Sequence, residues 1–189
     1  MSYLLKVRGL KYVMSETMDC IFVSDTHLSD HTWASRAQIV GDSIFGFQQA
    51  CSLAIHYKCP LIIAGDCWEL WRNPNPDSST VKQVRLLVDS LQQHGCQLYY
   101  INGQHDNLTP PFWFESISYW PIHVGGKSFM VGGKKFYGVD FFPESGIETI
   151  AADIPSDAFC LVIHQAWVDF TGSEIMAKLK LSQLPPVPL

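Results

Sequence analysis

The chain has 189 residues, 47% of them hydrophobic, 13% aromatic and only 16% charged, a balance that buries a core and excludes intrinsic disorder. Thirteen Lys plus Arg against 18 Asp plus Glu give a net charge of -5. That leaves no electrostatic footprint for non-specific nucleic-acid binding, so a phosphate substrate needs another source of positive charge. No apolar run approaches the roughly 18 to 20 residues of a membrane span, and the six scattered cysteines, with no C-x-x-C pair, point to reduced thiols in a soluble, cytoplasmic protein.

Residues 1–18 read as a leader of uncertain structure, either a short extra strand or an appendage, and residues 19–189 as one domain. Cys20 to Ser24 is a short apolar run ending at Asp25, a strand buried on both faces. From about Trp33 to Tyr57 the apolar residues Ile39, Ile44, Phe47, Leu53 and Ala54 fall at helical spacing. Pro60 to Ala64 repeats the strand pattern and stops at Gly65-Asp66; a Pro- and Asn-rich loop, 73–77, follows.

A second helix begins near Ser78 to Thr80, turns Val84, Leu87, Val88 and Leu91 to one face, and stops at Gly95. Gln97 to Ile101 is a third strand. Strand and helix in alternation imply a parallel sheet with right-handed crossovers. The second half changes character: Ser128 to Val131 and Lys135 to Val139 flank Gly132-Gly133-Lys134, a hairpin signal. Phe159 to Ile163 is a last apolar strand before His164.

Four strands therefore end in polar residues: Asp25-Thr26-His27, Gly65-Asp66, Asn102-Gly103-Gln104-His105-Asp106 and His164. The carboxyl ends of strands are where ligands gather in open α/β sheets. Singly, an Asp or His at such a place is a common cap or turn former; the coincidence of four is the signal. Residues i and i+2 of an extended segment face the same way, which lets Asp25 and His27 share an ion. Carboxylate, imidazole and amide donors suit manganese, iron or zinc over calcium.

From Cys20 to about Trp167 these residues resemble the calcineurin-like metallophosphoesterases, in particular the SbcD-type nuclease branch and related phage phosphoesterases. Asp25-Thr26-His27 resembles the Asp-x-His motif. Gly65-Asp66-Cys67-Trp68-Glu69 resembles Gly-Asp-x-x-Asp with Glu in the last place, Gly103-Gln104-His105-Asp106 resembles Gly-Asn-His-Asp, and His164 resembles the later lone metal-binding His.

The resemblance implies an α/β fold of two mixed β-sheets flanked by helices, and a two-metal phosphoesterase that cleaves phosphodiesters, nuclease-like. Asp25 and His27 would hold the first ion, Asp66 would bridge both, and Gln104 and His164 would hold the second. The cofactors would be two divalent ions, Mn2+ first with Fe2+ and Zn2+ as alternatives. His105 would be catalytic, with Asp106 orienting its ring. Two cations about 3.5 to 4 Å apart clamp phosphoryl oxygens and lower the pKa of water, so they would supply the positive charge that the chain lacks. The substrate would be a phosphate ester, DNA or a nucleotide among the choices, with a partner subunit supplying DNA contacts.

Two departures from that pattern matter. Gln104 is one methylene longer than the family's Asn. The family also closes its site with a Gly-x-His or Gly-His-x-His segment, while residues 165–189 contain no histidine; the resemblance therefore implies a domain incomplete at its C-terminal end. A non-catalytic phosphate- or metal-binding module is the alternative reading. His31, His56, His94 and His123 read as ordinary loop, helix-end and strand residues. Phe112-Trp113-Phe114, with Tyr119 and Trp120, reads as a helix packing on the core, with stacking of nucleobases as the alternative, and Trp68 and Trp71 as candidates to line a substrate cleft.

Overall fold

The computed structural model describes residues 4–7, 10–13, 17–29, 42–70, 76, 78–106, 113–172, 177 and 179–187. Within the leader, β1 (Leu4–Val7) and β2 (Leu10–Val13) pair antiparallel as a sheet of their own.

The main body rests on two further sheets. In the first, β3 (Ile21–Val23), β4 (Leu61–Ala64), β5 (Leu98–Ile101) and β6 (Ile122–His123) lie in that order, every pair parallel. The connections are α1 (Asp42–Tyr57), α2 (Ser78–Gln93) and the short α3 (Trp113–Ile117). The second sheet runs β7 (Lys127–Val131), β8 (Lys134–Val139) and β9 (Cys160–Ile163), with β7 antiparallel and β9 parallel to β8. Helix α4 (Ile147–Asp153) carries the chain from β8 to β9, and α5 (Val168–Thr171) follows.

The α/β architecture with flanking helices agrees with the reading of the sequence. One part differs: the first sheet is parallel throughout, and only the second is mixed. The turn between β7 and β8 explains the antiparallel pair. Gly132 and Gly133 both take positive φ, 56° and 76°, the two-residue primed turn that follows the twist of a hairpin.

Alternation along the strands assembles the layers, because successive side chains point to opposite faces. Leu61, Ile63, Leu98 and Tyr100 face the helices, packing with Phe47, Val84, Val88, Leu91 and Phe114. Ile62 and Ile101 face the second sheet and meet Phe129, Val131, Phe136 and Val162. The other face of the second sheet offers Tyr137, Val139 and Leu161 to Ile147, Ile154, Trp167 and Leu179. The order is helices, sheet, sheet, helix.

Helix α1 buries Phe47, Ala50, Cys51 and Ala54, a stripe at i, i+3, i+4 and i+7. Leu53, expected on that stripe, is 45% exposed because it falls on the far side. The expected start of this helix, near Trp33, lies outside the described residues. Helix α2 buries Thr80, Val84, Val88 and Leu91, with Gly95 at φ 70° just beyond its end. Trp113 and Phe114 pack on the core as the sequence implies. No helix among the described residues is long and apolar enough to cross a membrane.

The sheets approach closely at Gly138, where a Cβ would clash with the carbonyl oxygen of Val124 and come within 3.0 Å of Ile101 Cγ2. Backbone at such a contact cannot yield as a side chain does. Gly138→Ala should cost about 1 to 3 kcal/mol of stability, read as a lower urea midpoint at unchanged slope.

Candidate metal centre

The loops after β3, β4 and β5 are laced together by main-chain hydrogen bonds. Asp25 N donates to Gly65 O (3.1 Å), His27 N to Asp66 O (3.0 Å), Leu28 N to Cys67 O (2.7 Å) and Leu70 N to His105 O (3.0 Å). Thr26 adds a side-chain bond to Cys67 O (3.1 Å). The lacing forces an uncommon backbone: Asp25, His27 and Asp66 take φ of 54°, 45° and 48°, a left-handed conformation that costs about 1 to 2 kcal/mol per residue outside glycine. Such strain persists only where surroundings over-determine it, and it concentrates at functional sites. Asp25 and His27 thus converge through two left-handed residues, in place of the extended segment expected from their spacing.

Asp66 is the centre of the arrangement. Its residue is 2% exposed, and its Oδ1 accepts the His105 amide at 2.8 Å. Its Oδ2 lies 3.2 Å from His164 Nε2, 3.9 Å from His27 Nε2 and 4.0 Å from His105 Nε2. Asp25 Oδ1 is 4.0 Å from His27 Nε2. Two glycines make room. A Cβ on Gly103 would clash with the Asp66 carboxylate, and one on Gly65 would lie 2.5 Å from the His164 ring.

The far side of each ring is tied down. His27 Nδ1 and His105 Nδ1 are each 2.9 Å from one oxygen of Glu69, and His164 Nδ1 is 2.9 Å from Ala64 O. A proton on each Nδ1 satisfies these acceptors and leaves three Nε2 lone pairs aimed at one carboxylate, the arrangement by which acceptors orient metal-binding imidazoles. The His27 and His105 rings meet edge to face, centroids 4.8 Å apart.

Donor chemistry and spacing both fit a divalent ion. Bonds of about 2.0 to 2.2 Å put atoms that share an ion about 3 to 4.4 Å apart, and the gaps around Asp66 Oδ2 fall in that range. Glu69 also forms a cluster with His27 and His105, but at 2.9 Å these pairs sit at hydrogen-bond distance. Glu69 holds the rings, while Asp25, His27 and Asp66 form the other group whose atoms lie close enough to share an ion, with His164 Nε2 3.2 Å from Asp66 Oδ2.

Charge follows the same geometry. Burial pushes the Asp66 carboxyl upward, but the hydrogen bond from His164 and the His105 amide outweigh it and hold the group below the usual carboxylate range. Burial pulls His164 down, and its contact with Asp66 reverses the sign and raises it. His164 Nε2 and Asp66 Oδ2, 3.2 Å apart, are placed to pair when the ring is protonated.

The remaining sequence candidates separate. Asp106 was expected to orient His105, yet its carboxylate accepts three backbone amides: Gly103 at 2.8 Å and Cys67 at 3.2 Å on Oδ2, Trp68 at 2.7 Å on Oδ1. It pins the β5 loop to the β4 loop, and burial pushes its pKa up to about 6 despite those bonds. Glu69 takes the part foreseen for Asp106. Gln104 is exposed, and among the described residues no hydrogen bond joins its amide to the cluster. Trp68, expected in a cleft, is 2% exposed against Trp113 and Phe114; Trp71 lies outside the described residues.

A second linkage escaped the sequence reading. Asp140, just past β8, accepts the Asn102 amide at 2.7 Å and lies 2.8 Å from His123 Nε2, while Phe141 N donates to Asn102 O at 2.7 Å. The loop that carries His105 is therefore gripped by the second sheet as well as the first. Gly125 permits this, since a Cβ there would clash with the Asp140 carboxylate.

No family model matches the chain. It is similar to a UDP-2,3-diacylglucosamine hydrolase of Yersinia enterocolitica, 31% identical over 91 residues, which are 48% of this chain and 35% of that protein. It is also similar to the enzyme of the same name from Tolumonas auensis, 30% identical over 89 residues, 47% and 33% of the two chains. The match thus spans about a third of the length of these relatives. It supports the resemblance at the level of the metallophosphoesterase superfamily and does not single out the nuclease branch.

Glu69→Gln removes the charge that two rings share. It should weaken Mn2+ binding by about 10- to 100-fold in a titration followed by the paramagnetic resonance of the free ion, with the circular dichroism spectrum retained. Unchanged affinity would remove Glu69 from the apparatus that orients the ligands.

Proposed function

We propose that this chain forms a metal-dependent phosphoesterase centre that holds two divalent ions and hydrolyses phosphodiester-type bonds. The observation that carries the reading is the convergence of three Nε2 atoms within 4.0 Å of Asp66 Oδ2, each with its Nδ1 held by an acceptor. Asp25 and His27 would hold one ion, Asp66 would contribute to both, and His164 and Gln104 would hold the second. Mn2+ is the ion of choice for this mixture of donors, with Fe2+ and Zn2+ as alternatives. Bound there, the ions supply charge neutralisation at the phosphoryl oxygens and water activated near neutrality.

The protein's own part centres on His105. Its Nε2 faces Asp66 Oδ2 at 4.0 Å, and Glu69 on Nδ1 fixes the tautomer and stabilises the ring when it is protonated. In that state His105 donates a proton to the leaving oxygen. Asp106 acts on the same step from behind, through the loop it pins.

Two kinds of substrate fit this chemistry. The motif resemblance favours a nuclease-like phosphodiesterase, with DNA contacts supplied by a partner subunit. The relatives' names favour a nucleotide-linked small molecule.

The reading is tested by hydrolysis of bis-p-nitrophenyl phosphate with Mn2+ and with EDTA. Turnover should require Mn2+ and fall about 10²- to 10⁴-fold in His105→Ala, with Mn2+ still bound. Tight Mn2+ binding without turnover in the native chain would leave the metal-binding module as the better description; turnover that survives EDTA would overturn the metal-dependent reading.

A further inference from the structure

A cleft of about 610 Å³ opens between the loops that follow β5, β8 and β9. Gln104, beside His105, stands on one wall, and Gln165 and Ala166, directly after His164, on another. Phe141 and Glu144, from the loop after β8, form a third. The cleft is thus lined by the immediate chain neighbours of His105 and His164. Its volume lies within the about 300 to 1,000 Å³ of small-ligand sites.

The described part of the lining carries little charge. Among the described residues no Lys or Arg lines it, and Glu144 is its one ionisable side chain. Cations on this sheet are engaged elsewhere: Lys134 with Asp19 at 3.0 Å, Lys135 with Asp157 at 2.7 Å, and Lys127 with His123 O at 3.3 Å. A polynucleotide brings a further negative charge with every nucleotide, and proteins that hold one provide a basic track for it. The lining offers the opposite: a half-buried Phe141 beside Phe142, Ala177 and Leu179. Gln165 is already fixed, its Nε2 donating to Phe142 O at 2.8 Å and its Oε1 accepting Ala166 N at 3.0 Å. It is a rigid wall.

We propose, resting on the phosphoesterase reading, that the substrate's non-reacting group is an uncharged, partly apolar moiety of about nucleoside size bound in this cleft. The chain then acts on small phosphate esters in preference to polynucleotides.

Two substrates carry the test, thymidine 5′-(p-nitrophenyl phosphate) and a single-stranded oligothymidylate of twelve residues, each with Mn2+ at 0.15 M salt. The small ester should have a kcat/KM at least about tenfold above the oligomer's per bond. Ser145, exposed on the loop after β8, lines the cleft and has no place in the metal centre. Ser145→Trp should raise KM for the small ester at least tenfold with Mn2+ affinity unchanged, and Ser145→Lys should improve cleavage of the oligomer. Preference for the oligomer, or a Ser145→Trp variant with unaltered KM, would overturn the proposal.

If no ester is turned over, the phosphoesterase reading fails on its own, and the cleft is judged by equilibrium dialysis of thymidine 5′-phenyl phosphate with Mn2+. Binding weakened at least tenfold by Ser145→Trp supports the cleft. Equal binding, or none, rejects it.

Discussion

Asp66 carries a negative charge into a site where its residue is 2% exposed, at the end of an interior strand of the parallel sheet. A buried carboxylate is costly unless it is hydrogen-bonded and paired, and the surroundings of Asp66 meet both demands. The His105 amide lies on one oxygen and the His164 ring beside the other. The left-handed backbone at Asp25, His27 and Asp66, and the bare backbone at Gly65 and Gly103, are the local costs of bringing those groups in. Three left-handed residues outside glycine are thus gathered around one buried charge, a concentration of strain of the kind found at functional sites.

The parallel sheet makes that concentration possible. Parallel strands send all their carboxyl ends to one edge, so β3, β4 and β5 deliver three polar loops side by side. The second sheet adds a fourth. β9 runs parallel to β8, and the layers are held face to face by Ile62, Ile101, Phe136 and Val162. His164 thereby arrives opposite Asp66 from 98 positions along the chain, and Asp140 reaches across to the loop that carries His105. The apolar contact between the sheets is therefore part of the site, since it sets the distance from which two of the polar groups act.

Glu69 has the corresponding role among side chains. One carboxylate holds two imidazoles on separate loops at 2.9 Å each, so the directions of His27 and His105 are coupled. Coupling through one acceptor gives specificity of orientation at the cost of independence: whatever displaces Glu69 turns both rings. Asp106 does for the backbone what Glu69 does for the rings, joining the β4 and β5 loops through three amides.

What the sequence alone determined were the features carried by local pattern. Alternation and run length located β3, β4, β5 and β9, the Gly132-Gly133 pair located the hairpin, and helical spacing located α1 and α2. The strand ends brought Asp25, His27, Asp66, His105 and His164 to notice, because chemistry at the end of an apolar run is visible without coordinates. The tertiary structure decided which groups meet. Asp106 adjoins His105 in sequence, yet its oxygens go to amides, while Glu69, 36 and 42 positions from the two rings it holds, supplies their acceptor. Trp68 looks like a cleft residue near Asp66 but is buried against Trp113 and Phe114. The strand at His123 was legible, but helix α4 and the His123–Asp140 pair left too faint a local pattern to read. Periodicity reports which face of an element is buried; the partner of a polar group depends on how loops fold over one another, and that follows from packing across the whole chain.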